Sequence, residues 1–173
     1  MRKIGDLKKR DRKGQIQISF GMIVSIIITI VTLVVVGYVI TKFVGFKNCA
    51  DTGLFYNELQ GDVSAAWRGG ITQEVYSYKV SGNAESICFG NLTLPVASNS
   101  RTQYDALKQR YRNVRQDRNV FIYPPGKACS GNLAYFKLNY TTMSEFFCSP
   151  VVDGKVNVKV RKESTDNLVN IIK

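Results

Sequence analysis

The feature that most constrains this chain is a run of 28 residues without a charge, from Gly14 to Thr41. As a helix this run would extend about 42 Å, whereas the hydrocarbon core of a bilayer is about 30 Å thick. Its apolar part, Phe20 to Ile40, consists mostly of Ile and Val, and inserting such a segment into a bilayer gains about 5 kcal/mol. Because a backbone in lipid must pair its own N–H and C=O groups, we expect a transmembrane helix despite the many β-branched residues.

Two other interpretations fit the uncharged run less well. A buried core helix of a soluble protein rarely continues for more than about twenty residues without a charge. A cleavable secretory signal has an apolar region of about 7 to 15 residues that ends in a small-x-small site. This run is longer, and the sequence after it, KFVGFKNCAD, contains no convincing site of that kind.

The distribution of Lys and Arg predicts the orientation of the span. Seven of these residues lie within positions 1–13, and only Lys42 and Lys47 follow the span closely. The positive-inside rule therefore places the N-terminus in the cytoplasm. We expect a basic cytoplasmic leader at 1–14, a transmembrane helix at 15–46 and an extracytoplasmic, extracellular domain at 47–173.

The formal net charge of +11 does not indicate a nucleic-acid partner. Residues 1–13 carry +5 of it, and the remaining +6 is spread over the rest of the chain among Asp and Glu. A nucleic-acid-binding domain gathers its cations on one folded face with interleaved aromatic residues. No such face can be read here, so we expect the lipid membrane as a partner and no nucleic acid.

The junction between the basic tail and the apolar run reads Lys13, Gly14, Gln15 and then IQISF. This junction resembles the class III signal peptide of archaeal type IV pilins. The resemblance implies that a prepilin-type peptidase cuts between Gly14 and Gln15 on the cytoplasmic side and leaves the apolar helix on the mature protein. Glycine leaves the scissile backbone unencumbered, and the adjoining cations hold the leader among anionic lipid head groups.

In pilins such helices bundle to form the core of a filament, so the resemblance implies a structural subunit that associates with its own copies. The sequence departs from the family at Ser19, where many pilins carry a glutamate. The chain is also similar to single-pass archaeal membrane proteins with a cysteine-bearing outer domain. That similarity supports the alternative of an uncleaved, signal-anchored envelope protein whose outer domain binds a partner or ligand.

Small and polar residues lie on one side of the expected transmembrane helix. Gly21, Ser25, Thr29 and Thr32 follow one another at spacings of three or four residues, which places them on one helix face. Such a face lets membrane helices approach closely and hydrogen-bond to each other, so it predicts helix packing. In the alternative interpretation, each hydroxyl donates to a carbonyl of its own preceding turn.

All four cysteines follow the span, which places them on the oxidising side of the membrane: Cys49, Cys88, Cys129 and Cys148. We expect two disulfides, and the sequence leaves all three possible connectivities open. A zinc site usually needs closely spaced cysteine pairs or histidines. The gaps here are 39, 41 and 19 residues and the chain has no histidine, so we expect no metal.

Residue patterns in 47–173 predict an α+β domain. A cap at Asp51 or Thr52 followed by apolar residues at helical spacing predicts a second helix that ends near Trp67. Alternation predicts a strand over 74–80, an apolar run predicts another over 87–96 with a bulge at Gly90, and a short helix is expected over 102–112. The last predicted elements are a strand over 120–123, a two-residue turn at Asp153 and Gly154 that opens a hairpin, and an antiparallel return strand over 168–172.

The outer domain offers few groups for catalysis. It has no histidine, no phosphate-cradling glycine loop and no G-x-S-x-G motif, and its carboxylates are scattered singly along the sequence. We therefore expect no enzyme, no catalytic residues and no cofactor. Two glycosylation sequons begin at Asn91 and Asn139, on the side of the membrane where the modification would occur.

Overall fold

The computed structural model describes residues 20–80, 84–112, 117–128 and 130–173. The chain divides into two compact units, Met1–Thr41 and Lys42–Lys173. A long apolar N-terminal helix, another helix and mainly antiparallel sheets confirm the α+β class. In chain order the elements are α1 (Phe20–Gly69), β1 (Thr72–Lys79), β2 (Ser86–Phe89), α2 (Arg101–Arg110), β3 (Val120–Tyr123), β4 (Tyr135–Phe136), β5 (Thr141–Thr142), β6 (Phe147–Pro150), β7 (Lys155–Lys162) and β8 (Val169–Ile172).

Helix α1 continues through the position where the sequence predicted a separate second helix. The 50 residues from Phe20 to Gly69 are helical without interruption, so the predicted cap at Asp51 or Thr52 is wrong. The Thr52 hydroxyl donates to the Asn48 carbonyl oxygen at 2.9 Å, which is how a threonine inside a helix satisfies its hydroxyl. Asp51 and Thr52, which the sequence predicted to begin a second helix, therefore lie inside α1.

We call the second unit, Lys42–Lys173, the outer unit after its expected location. Its first sheet, in the order β1-β7-β8-β5, contains the long strands. Strands β1 and β7 are antiparallel from the pair Thr72 and Lys162 to the pair Lys79 and Lys155. The predicted alternation in β1 is confirmed, because Tyr76 and Tyr78 are more buried than their neighbours along the strand. Strand β8 lies antiparallel beside β7, as predicted, and β5 pairs parallel with β8.

The second sheet, in the order β4-β3-β2-β6, is antiparallel throughout. Strand β3 has its predicted bounds. Strand β2 is shorter than the predicted 87–96, since it ends at Phe89 and the chain turns at Gly90 with φ at +112°. Gly90 is therefore a turn residue at the end of the strand, and the predicted bulge is not formed.

The tight turn at Asp153 and Gly154 forms as predicted, with positive φ at both residues. Val152 and Lys155 exchange two backbone hydrogen bonds of 2.9 Å across it. The hairpin is limited to this one residue pair, because the strand before the turn, β6, belongs to the second sheet and β7 belongs to the first. The turn thus joins two sheets, whereas the sequence predicted that it would open a hairpin.

Two clusters of buried side chains lie on the two faces of the second sheet. The larger contains α1, the inner face of the first sheet and one face of the second, with Phe55, Leu59 and Phe89 fully buried. The smaller lies on the opposite face of the second sheet, where α2 contributes Tyr104 and Leu107. The outer unit is therefore layered, with α1 and α2 on opposite sides of the second sheet.

Candidate membrane-spanning helix and surface sites

The first part of α1 is apolar around its whole circumference. It is long and apolar enough to cross a membrane, and none of its most apolar window is buried. Between Phe20 and Phe46 the large apolar side chains, Val24 apart, range from 45% exposed at Ile23 to 82% at Phe20. A soluble monomer rarely exposes so large a continuous apolar surface, and this surface favours contact with lipid or with other helices.

Hydroxyl groups within this apolar part are satisfied by the helix itself. Thr29 donates to the Ser25 carbonyl and Thr32 to the Ile28 carbonyl, each at 2.8 Å. This matches the alternative interpretation of the stripe that begins at Gly21, and it lowers the cost of these hydroxyls in lipid. Packing of the stripe against another helix stays a prediction, since neither bond blocks the face.

The proposed processing site lies before the helix. Lys13, Gly14 and Gln15 are outside the described residues, as is Ser19. Cleavage between Gly14 and Gln15 therefore stays a prediction.

The last part of α1, from Thr52 to Gly69, buries one side of the helix, whereas the first part is exposed on all sides. Its buried residues recur at helical spacing and form one stripe that faces the larger core cluster: Thr52, Phe55, Tyr56, Leu59, Val63 and Ala66. The Tyr56 hydroxyl donates to the Leu133 carbonyl oxygen at 2.8 Å, and its ring stacks on Phe136 with centroids 4.6 Å apart. One helix thus combines an exposed apolar part with an amphipathic part that is embedded in the α+β unit.

One disulfide joins neighbouring strands of the second sheet. Cys88 in β2 and Cys148 in β6 are direct cross-strand partners and are bonded to each other. Both belong to the cluster under α2. Cys49, on α1, is also disulfide-bonded, and Cys129 lies outside the described residues.

The two glycosylation sequons differ in their surroundings. Asn139 is exposed, and its backbone N–H donates to Gln60 Oε1 at 2.9 Å. The next residue, Tyr140, stacks on Trp67 with centroids 4.2 Å apart. Asn91 follows β2 and is only partly exposed.

Sequence analysis missed a group of carboxylates at the edge of the first sheet. Tyr78 donates from its hydroxyl to Asp62 Oδ2 at 2.8 Å. A hydrogen bond to Glu74, followed by burial and by the charges of Glu74 and Asp62, raises the pKa of Tyr76 to about 12. Burial, and then the bond and charge of Asp62, raise the pKa of Tyr78, with the charge of Glu58 adding to the effect.

Glu58, Asp62 and Glu74 therefore gather around two tyrosines, although they are scattered in the sequence. Two signals could have found them: the four-residue spacing of Glu58 and Asp62 on a helix, and the alternation that places Glu74 on the same strand face as Tyr76. From the sequence, we considered each carboxylate alone. The packing of β1 beside α1 brings together residues that are distant in the sequence, and no local pattern predicts it.

Two shallow cavities lie on the outer unit. The larger, about 490 Å³, is next to the turn at Asp153 and is lined by residues of β1, β6 and β7. The smaller, about 230 Å³, lies between the end of α1 and β1 and is lined by Ala65, Ala66, Gly69, Ile71, Thr72 and Tyr76. Within the described ranges no group of three or more Cys, Asp or Glu side chains is arranged to hold a metal ion.

Comparison with protein-family models, with curated proteins and with solved structures finds no match to this chain. A proposal for the function of this protein therefore depends on the helix, the outer unit and the surfaces described above.

Proposed function

We propose that this protein is a pilin-like structural subunit that is anchored in the cell membrane and assembles into a surface filament through the first part of α1. The observation that carries the proposal is the change of character along one continuous helix. Residues 20–46 expose apolar side chains on all sides, whereas the stripe from Thr52 to Ala66 is buried in the α+β unit. A helix of this kind joins a membrane segment directly to a folded outer unit.

The apolar part of α1 has two possible environments that would cover it. In the bilayer, lipid tails cover it, and its internally bonded threonines suit that medium. In a filament, neighbouring copies of the same segment cover it, and the face with Gly21 and Ser25 allows close approach. The same apolar sequence suits both environments, so the segment can serve first as a membrane anchor and then as part of the filament core.

The outer unit suits a location outside the cell. A disulfide between Cys88 and Cys148 persists in an oxidising compartment and is rare in the cytoplasm. The excess of Lys and Arg before the span independently favours a cytoplasmic N-terminus. Both considerations support an extracellular position for residues 47–173.

A pair of matched double variants tests the proposal. Lys13→Glu with Gly14→Val changes the junction that the peptidase would read, and Lys3→Glu with Gly5→Val makes the same chemical changes farther from it. We expect the junction variant to keep its leader and to yield no filaments, and the control to be processed like the wild type. The measurements are intact mass and the protein pelleted after filaments are sheared from cells.

If each of the three proteins had the mass calculated for its own full-length sequence, with the leader still attached, the proposal would be contradicted. That outcome would favour the alternative of an uncleaved, signal-anchored envelope protein, whose outer partner would then be sought by cross-linking in intact cells.

A further inference from the structure

One edge of the first sheet carries a shallow cavity beside the end of α1. Strand β1 pairs with β7 and is the outermost strand on its side. Beside it, the cavity of about 230 Å³ is lined by three residues at the end of α1 and by Ile71, Thr72 and Tyr76, and Ile71 is 76% exposed. Glu58, Asp62 and Glu74 do not line the cavity but lie around Tyr76 and Tyr78 beside it. We call the cavity and these three carboxylates together the acidic groove.

The carboxylates of the acidic groove have no cation of their own. Within the described part of the chain, none of the three forms an ion pair. Asp62 accepts a hydrogen bond from the uncharged hydroxyl of Tyr78 at 2.8 Å, and Glu74 lies on the same strand face as Tyr76. The acidic groove therefore combines the exposed apolar side chain of Ile71 with three carboxylates that form no ion pair among the described residues, a surface that suits long cationic side chains with aliphatic stems.

The exposed side of α2 is positively charged, in contrast to the acidic groove. Arg101, Lys108 and Arg110 are exposed on the helix, and Arg112 is exposed just past its end. The only carboxylate on the helix is Asp105, which pairs with Arg101 at 3.6 Å. We call Lys108, Arg110 and Arg112 the basic face, and within the described ranges none of them forms an ion pair.

The two surfaces lie on different sides of the outer unit. The acidic groove is next to α1 and β1, which belong to the larger core cluster. The basic face belongs to α2, which packs on the far face of the second sheet. One molecule cannot bring them together without unfolding, but two copies can.

We propose that the acidic groove of one copy binds the basic face of the next copy along the filament. The inference rests on the proposed function and adds the outer-unit contact to it. Because the two surfaces differ, the contact is heterologous, and each added copy again offers a free groove at one end and a free basic face at the other. Such a contact repeats without closing and steers incoming copies by charge.

Charge reversal tests the contact in the full-length, processed protein. The groove variant carries Glu58→Lys and Glu74→Lys, and the basic-face variant carries Arg110→Glu and Arg112→Glu. In each, both contact surfaces have the same sign, so we expect the amount of pelleted filament at low salt to fall about tenfold or more. A control variant with Glu85→Lys and Glu145→Lys, both exposed, has the groove variant's net charge and should assemble like the wild type.

Mixing the two failing variants distinguishes lost contact from lost folding. In an equimolar mixture each reversed groove meets a reversed α2, and each natural groove meets a natural α2, so we expect filaments that alternate between the variants. Melting temperatures close to the wild type would accompany this rescue.

Three outcomes separate the contact from the proposed function. A wild type that keeps its leader overturns the proposed function and, with it, the contact. Processed variants that assemble like the control overturn the contact alone. Variants that fail singly and also fail in the mixture, while melting like the wild type, likewise overturn the contact.

Discussion

At the scale of single residues, the bond between Tyr78 and Asp62 joins β1 to α1. Tyr78 is 3% exposed, and its hydroxyl donates to a carboxylate at 2.8 Å. A buried hydrogen bond to a charged acceptor contributes about 1.5 to 3 kcal/mol, and partial exposure of the acceptor lowers this value. We expect Tyr78→Phe to lower the free energy of unfolding by about 1 to 2 kcal/mol, as measured by denaturation in detergent.

The matched control for this substitution is Tyr140→Phe. Tyr140 is 43% exposed, and its hydroxyl forms no hydrogen bond within the described ranges, so removing it should have little effect on stability. Equal effects of the two substitutions would contradict the role assigned to the Tyr78 hydroxyl.

Tyr76 and Tyr78 make stability sensitive to alkaline pH. Folding raises the pKa of Tyr76 to about 12, first through the hydrogen bond to Glu74, and it also raises the pKa of Tyr78. An unfolded tyrosine loses its proton near pH 10, so the stability that these groups contribute is complete below that pH. It is lost as the pH rises from there through the folded pKa.

We therefore expect the melting temperature to fall above about pH 10 and to fall less steeply in the Tyr78→Phe variant. Melting curves at increasing pH measure this directly. A wild type and a variant with the same alkaline slope would contradict the assignment.

Gly90 is the position where the backbone least tolerates a side chain. An added Cβ would lie 2.9 Å from Phe146 Cα, and the residue has φ at +112°. Close contact with backbone and an unfavourable φ act together, so we expect Gly90→Ala to destabilise the outer unit by about 2 to 4 kcal/mol. Gly126→Ala is the control, since a Cβ there meets nothing within 4 Å, and equal losses for both would contradict this account of Gly90.

At the scale of elements, the embedded part of α1 organises the outer unit. Leu59 is fully buried in the larger core cluster, whereas Leu54 on the same helix is 56% exposed. Truncating a buried leucine costs about 2 to 5 kcal/mol. We expect Leu59→Ala to lower unfolding stability by about 3 kcal/mol and Leu54→Ala to have little effect, and similar losses would contradict the orientation of α1.

The cysteines provide a chemical test of how the elements pair. Cys88 and Cys148 are bonded across β2 and β6, so the two other cysteines of the chain, Cys49 and Cys129, are left as partners for each other. We expect non-reducing peptide mapping to recover these two linkages. A linked peptide that joins Cys88 to Cys49 or to Cys129 would contradict the pairing of the second sheet.

The sequence predicts elements well wherever a local pattern is enough. Alternation identified β1, a short apolar run before two prolines identified β3, helical spacing identified α2, and a turn dipeptide located the start of β7. Failures arose where non-local contacts decide the outcome. The cap expected at Thr52 was overridden by a continuous helix, and the turn at Asp153 joins two sheets because β6 pairs with β2.

The surfaces were harder to predict than the elements. Asp62 becomes a neighbour of both Tyr76 and Tyr78 only after β1 packs beside α1. The basic face of α2 can be predicted from helical spacing alone. The acidic groove cannot, because its carboxylates come from both α1 and β1. The cysteine pairing likewise required the register of β2 with β6.

At the scale of the whole molecule, the proposed subunit consists of a leader that is removed, a membrane helix and an α+β unit outside the cell. The long apolar segment of α1 and the disulfide are structural facts, and the pilin-like assembly is our proposal. In this proposal, removal of the leader would free the apolar segment for assembly, because Phe20 would then be close to the new N-terminus at Gln15.

The most direct test is the intact mass and N-terminal sequence of the protein extracted from native membranes without reducing agent. We predict a chain that begins at Gln15 and is four hydrogens lighter than its fully reduced form, as expected for four cysteines in two disulfides. A chain that still begins at Met1 or Arg2 would contradict the central claim.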